Sequence, residues 1–376
     1  MAQSRLVEEF MELVRIDSET KHEEEIVGVL KEKMEALGFE VTEDDSAARS
    51  GHGAGNLIAT LGGNVAGADR IYFTCHMDTV VPGKGIRPQV KEDGYIYSDG
   101  TTILGADDKA GLAALFEMMR RVNEENIPHG DIQFIITAGE ESGLAGAREL
   151  APDAIRADYG YAVDSDGKVG GIVTAAPYQA KLETVIKGRT AHAGVAPEKG
   201  VSAITIAAKA IANMSLGRID SETTANIGRF EGGRATNIVC DEVKILSEAR
   251  SIDKAKLDAQ TEHMVRTFER QAQLMGGSAE TDVRLMYPGF SIGNEDPVIR
   301  TATAAIRKIG REPELMTSGG GSDGNIFNGF GIPTVTLSVG YEEIHTTNER
   351  MPVEELEKLA DLLVEIVKEA GNAKSE

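Results

Sequence analysis

Positive charge is scarce in this chain: 39 lysines and arginines stand against 61 aspartates and glutamates, a formal net charge of −22. So acidic a polypeptide is repelled by phosphate backbones and anionic lipid, which argues against nucleic acid or membrane as a partner. Cysteine is nearly missing too. Cys75 and Cys240 are the two present. They lie in unrelated apolar contexts, so the chain reads as a protein of a reducing compartment with two buried thiols. No apolar run approaches the length that spans a bilayer. Met1–Glu12 is an amphipathic polar helix without the apolar core of a secretory signal. A soluble cytoplasmic protein is expected. Internal repeats and low-complexity tracts are also absent, and at 376 residues the chain is long enough for two domains.

What is present is a βα rhythm. Helical spacing covers 4–14 and 23–37, and Arg70–Cys75 is a nearly continuous run of β-formers, the mark of a strand buried on both faces. A small hairpin region is expected at 86–98, a helix at 108–122, a buried strand at Asp131–Ala138, a helix at 143–151 and a strand at Tyr159–Val163. From Pro177 to Pro288 the order becomes strand, helix, strand, strand, helix, strand, the ferredoxin-like sequence. The first pattern then resumes, with helices at 296–309, 323–328 and 353–371 and a strand at Thr334–Val339. The fold class expected is α/β: a mixed-sheet domain of 1–176 and 289–376 with helices on both faces, interrupted by a ferredoxin-like α+β domain of 177–288. Acidic runs at Glu23–Glu25 and Glu354–Glu357 read as solvated helix faces.

The chemistry centres on Gly105-Ala106-Asp107-Asp108-Lys109-Ala110-Gly111, two adjacent carboxylates ahead of the apolar run Leu112–Met119. One aspartate serves as a helix N-cap; the second adds charge repulsion unless a cation is near. Other polar residues end the expected strands: His76 and Asp78, Glu140 and Glu141, Asp164, and His345 beyond Thr334–Val339. In open α/β sheets ligands bind at that edge. Two histidines with several carboxylates form a mixed N/O set suited to zinc, and also to cobalt or manganese. Taken singly, each has a plainer reading: a core histidine at His76, turn formers at Asp78 and Asp164, a solvated loop at Glu140-Glu141, surface at His345. Their joint order favours metal-assisted hydrolysis, which needs Lewis-acidic metal and a free carboxylate to move a proton.

At these residues the chain resembles the co-catalytic metallopeptidases that include peptidase T, glutamate carboxypeptidase, aminoacylase and succinyl-diaminopimelate desuccinylase. It is most similar to peptidase T and its shorter bacterial relatives. The matched order is His76-x-Asp78, Gly105 to Gly111, Glu140-Glu141-x-Gly143, Asp164, His192, Arg250 and His345.

The resemblance implies two divalent ions, zinc first. His76 and Asp164 would hold one and Glu141 and His345 the other, with Asp107 between them. It implies Glu140 as general base, Asp78 orienting the ring of His76, and a cis Asp107–Asp108 peptide. It further implies that the inserted domain is a lid through which a homodimer forms. There His192 would meet the developing oxyanion in the partner subunit's site, while Arg250 and Asn237 would hold the substrate's carboxylate. Apart from the resemblance, the glycines around Gly320 read as a close approach to substrate. Those glycines also read as a flexible hinge. The chain has Gly319-Gly320-Gly321-Ser322-Asp323 where peptidase T has an arginine in place of the first glycine, which bears on the peptide length accepted. The implied activity is a tripeptidase-like aminopeptidase acting on short peptides. The alternative is an N-acyl amino acid deacylase using the same metal pair.

Overall fold

The computed structural model describes residues 3–372. Its contacts divide the chain into two compact units: one made of the residues up to Ala175, Ile292–Thr317 and those from Ser322 onward, the other of Ala176–Ser291 and Ser318–Gly321.

The first unit is built on a mixed sheet. Its strands run in the order Glu40–Glu43, Leu57–Leu61, Ile132–Thr137, Ile71–His76, Tyr159–Ser165, Thr334–Ser338, Gly171–Ala176, with Glu314–Thr317 beside the last. The four strands from Ile132–Thr137 to Thr334–Ser338 are mutually parallel, and antiparallel strands flank them. Every residue of Ile71–His76 and Ile132–Thr137 is buried, as expected of parallel strands covered on both faces. Phe73 stacks on Tyr161 at 5.7 Å between ring centroids and meets Phe134 edge-on at 6.2 Å.

The helix Ala106–Glu124 is buried along most of its length and packs against the strand Ile71–His76. Gly111 permits that approach: a Cβ there would lie 2.8 Å from Cys75 Sγ and 2.9 Å from the Val163 carbonyl oxygen. The strands Gln89–Val90 and Tyr95–Tyr97 form the expected hairpin, and Arg350–Pro352 joins them.

Sequence reading missed the strands Gly171–Ala176 and Glu314–Thr317, which lie beside Pro177 and Pro313. The helix expected at 143–151 is only Ala145–Glu149, because Gly143 and Leu144 both have positive φ. Two acidic residues assigned to solvated faces are buried. Glu23 accepts the main-chain N–H groups of Lys21 and Gly53, and Glu355 pairs with Arg311 and accepts the N–H of Val169.

The second unit carries an antiparallel sheet in the order Gly217–Arg218, Thr223–Gly232, Glu242–Ser251, Tyr178–Lys187, Ser278–Tyr287. The helices Ala203–Ala212 and Lys254–Leu274 pack against it. Ile186, Val243, Ile245, Ile206 and Phe268 fill the space between. Four long strands and two helices in this order make the ferredoxin-like fold.

Candidate metal centre

The four parallel strands of the first unit end along one edge of the sheet, and the chain continues from each end into a polar segment. Ile71–His76 ends on His76, and Ile132–Thr137 leads to Glu140 and Glu141. Asp164 is the penultimate residue of Tyr159–Ser165, and Thr334–Ser338 leads to His345. Asp107 enters the same space from the start of the helix Ala106–Glu124, whose Asp107 and Asp108 have non-helical backbone angles. The Asp107–Asp108 peptide bond is cis. Neither aspartate caps the helix by its side chain: the cap residue is Gly105, in the left-handed region at φ 73°.

Asp107 is the hub. Its Oδ1 lies 3.0 Å from His76 Nε2, and its Oδ2 lies 3.1 Å from His345 Nε2. The same His345 nitrogen is 3.0 Å from Glu141 Oε1, and Asp164 Oδ1 is 3.8 Å from His76 Nε2. Donor atoms of His76, Asp107 and Glu141 all fall within 4.8 Å of one another, as do those of His76, Asp108 and Asp164. His345 has φ 63°, a conformation that side chains other than glycine seldom adopt.

Charge explains the electrostatics. Burial, then the neighbouring Asp164, pushes the Glu140 carboxyl well above the usual range. Burial and the Asp107 charge do the same to Asp164 despite the opposing influence of His76. Burial also acts to raise Asp107, but hydrogen bonds with His345 and His76 hold its carboxyl below the ordinary value. Those bonds, to Asp107 first and then Glu141, push the His345 imidazole up to about 10. A cluster with so many acids and few cations favours any species that brings positive charge. Imidazole nitrogens and carboxylate oxygens converging on one space are the donor types that divalent transition metals take. The residues therefore fit a divalent-metal site.

Asp78 sits one step behind. His76 Nδ1 lies 2.9 Å from the main-chain oxygen of Asp78 and 3.5 Å from its carboxylate. That carboxylate accepts the N–H groups of Glu140 at 3.0 Å and Glu141 at 3.2 Å. Tyr341, which sequence reading missed, donates its hydroxyl to Asp164 Oδ1 at 3.2 Å. Glu349 was missed as well. Its carboxylate accepts main-chain N–H groups of Leu104, Gly105 and Asp107, and burial pushes it up to about 7. Its place four residues after His345 was the signal available.

The remaining candidates belong to the second unit and form two groups there. His192 pairs with Ile238 in an isolated antiparallel bridge, and Ala193 donates its N–H to the Asn237 main-chain carbonyl at 2.9 Å, so His192 and Asn237 are neighbours. Arg250 donates to Glu248 at 2.9 Å and to the Gly319 carbonyl at 3.2 Å, while the Gly320 N–H donates to Ser318 Oγ at 3.0 Å. Gly321 is required for packing, since a Cβ there would lie 2.5 Å from the Tyr287 ring.

The chain is similar to known proteins over nearly its whole length. A crystal structure of aminopeptidase PepT from Bacillus cereus ATCC 10987 is 64% identical with a TM-score of 0.94, covering 98% of this chain and 99% of that one. A tripeptidase structure from Staphylococcus aureus subsp. aureus Mu50 is 53% identical with a TM-score of 0.95, covering 98% of each chain. Peptidase T of Escherichia coli (strain SE11) is 27% identical over 418 residues, covering 99% of this chain and all of the relative. Residues 72–369 match the family described as Peptidase family M20/M25/M40, and the chain belongs to that family.

Proposed function

We propose that this protein is a metal-dependent aminopeptidase that trims short peptides, tripeptides foremost, from their N-terminus. One observation carries the reading: the two oxygens of Asp107 each face a different histidine, His76 at 3.0 Å and His345 at 3.1 Å. It is supported by likeness to solved chains described as an aminopeptidase and a tripeptidase.

In this reading His76 and Asp164 would hold one divalent ion, Glu141 and His345 would hold a second, and Asp107 would contribute to both. Zinc is the ion these donors suit first, with cobalt or manganese as substitutes. Bound there, the ions would supply Lewis acidity toward a peptide carbonyl and toward water. Glu140 takes a proton from the attacking water and delivers it to the leaving amine. Asp78 fixes the turn from which Glu140 projects. In the second unit Arg250, Asn237 and Gly320 bind the substrate, a guanidinium being the natural partner of a peptide carboxylate. His192 meets the oxyanion in the partner subunit's site. The unit serves as a lid, and the active species is a homodimer in the cytoplasm. No helix among the described residues is long and apolar enough to cross a membrane.

The test is digestion of a mixed di-, tri- and tetrapeptide library by the zinc-loaded protein, read by mass spectrometry. Release of N-terminal residues, fastest from tripeptides, is expected. Preference for N-acetylated over free-amine substrates would instead identify a deacylase.

A further inference from the structure

Glu349 is 1% exposed, and both of its carboxylate oxygens are engaged by main chain. Oε2 accepts the N–H groups of Leu104 at 2.7 Å and Gly105 at 2.8 Å, and Oε1 accepts that of Asp107 at 3.1 Å. These donors lie at the entry of the helix Ala106–Glu124, where first-turn N–H groups have no intrahelical acceptor. The cap residue, Gly105, has no side chain to offer, and Asp107 and Asp108 depart from helical angles. The ordinary helical ladder therefore does not hold this entry. Glu349 does.

The segment that carries Glu349 is itself pinned. Its N–H donates to the Thr346 carbonyl at 3.1 Å, the Asn348 N–H donates to Thr346 Oγ1 at 3.1 Å, and Thr346 Oγ1 donates to the Glu343 carbonyl at 2.7 Å. His345 lies inside this turn. One carboxylate thus ties the turn bearing His345 to the entry bearing Asp107. An aspartate has a short arm, so where its oxygens point is decided by its main chain. For Asp107 that decision must satisfy two histidines at once.

We propose that Glu349 is a positioning residue for the metal site: it holds residues 104–107 so that the Asp107 oxygens diverge toward His76 and His345. The inference rests on the reading of those residues as metal ligands. Partners standing behind a ligand in this way typically change metal affinity about 10- to 100-fold when removed. Glu349→Gln is the informative variant. A glutamine carbonyl can keep the Leu104 and Gly105 bonds, but its NH2 group meets the Asp107 N–H donor to donor.

The experiment is calorimetric titration of the chelator-stripped full chain with Zn2+, together with melting of the metal-free proteins. Glu355→Gln is the control, a buried carboxylate that holds Val169 N–H and Arg311 instead. Wild type takes up two ions. E349Q binds them at least about tenfold more weakly, whereas E355Q alters melting and leaves affinity unchanged. E349D keeps the charge on a shorter arm and shows the same weakening, so it stands in if E349Q does not fold. Wild-type affinity in both Glu349 variants overturns the positioning role alone. A wild-type protein that takes up no metal overturns the ligand reading beneath it.

Discussion

The Asp78 carboxylate accepts the main-chain N–H of Glu140 at 3.0 Å. Its other oxygen takes the N–H of Glu141 at 3.2 Å, so one side chain fixes the turn from which both glutamates leave the sheet. Asp78→Ala frees that turn. The expected result is a fall in kcat of about 10- to 100-fold, with the overall fold retained. Steady-state kinetics on a tripeptide, beside circular dichroism, check it.

Glu140→Gln removes the proposed proton carrier and spares the five residues assigned to metal. Two ions per chain should remain by elemental analysis, while kcat drops by about 10²- to 10⁴-fold, the usual worth of general acid–base catalysis. Near-native turnover in this variant contradicts the assigned role.

Asp107 and His345 should differ in what they cost. Asp107→Ala deprives both positions of an oxygen, so the dialysed protein is expected to keep fewer than one ion per chain. His345→Ala leaves His76, Asp107 and Asp164 in place, and about one ion should stay. Elemental analysis after dialysis against a weak chelator distinguishes these outcomes, and equal losses would argue against a shared Asp107.

Glu23 gives a pH signature away from the metal ligands. Burial raises its carboxyl above the ordinary 4.5, because the N–H groups of Lys21 and Gly53 only partly offset the loss of water. The folded chain therefore holds this proton more tightly than the unfolded chain. Its contribution to stability falls as pH rises from 4.5 through the raised folded-state value, and is constant beyond it. Chelator-treated wild type should lose more stability than E23Q as pH rises above 4.5, measured by denaturant melts. Parallel slopes would mean that Glu23 titrates normally.

Much of the fold was legible because period and run length are local properties. Arg70–Cys75 and Asp131–Ala138 advertise doubly buried strands in their own composition, and the ferredoxin-like order can be read from element types alone. Gly171–Ala176 and Glu314–Thr317 could not be read so. Their strand character comes from pairing with each other and, for Gly171–Ala176, with Thr334–Ser338, which no local pattern records. The acidic residues divide in the same way. Glu23 and Glu355 sit in runs that resemble solvated faces, and only tertiary contacts reveal that main-chain donors and Arg311 surround them. The histidines and carboxylates at strand ends were legible as a set, because sheet topology sends successive strand ends to one edge. The role of Glu349 was hidden, since its partners are main-chain groups some 240 positions away, and its nearness in sequence to His345 was the one signal of it.

His76, Asp107, Glu141, Asp164 and His345 are contributed by separate elements of the first unit. No fragment of the polypeptide short of that whole unit owns the set, and an unfolded chain holds the donors too far apart to act together. Metal uptake is therefore a report on global folding. Saturating ions should raise the melting temperature of the entire first unit in one step, and a single nick between 76 and 345 that lets the pieces separate should abolish uptake even though every donor atom is still in the tube.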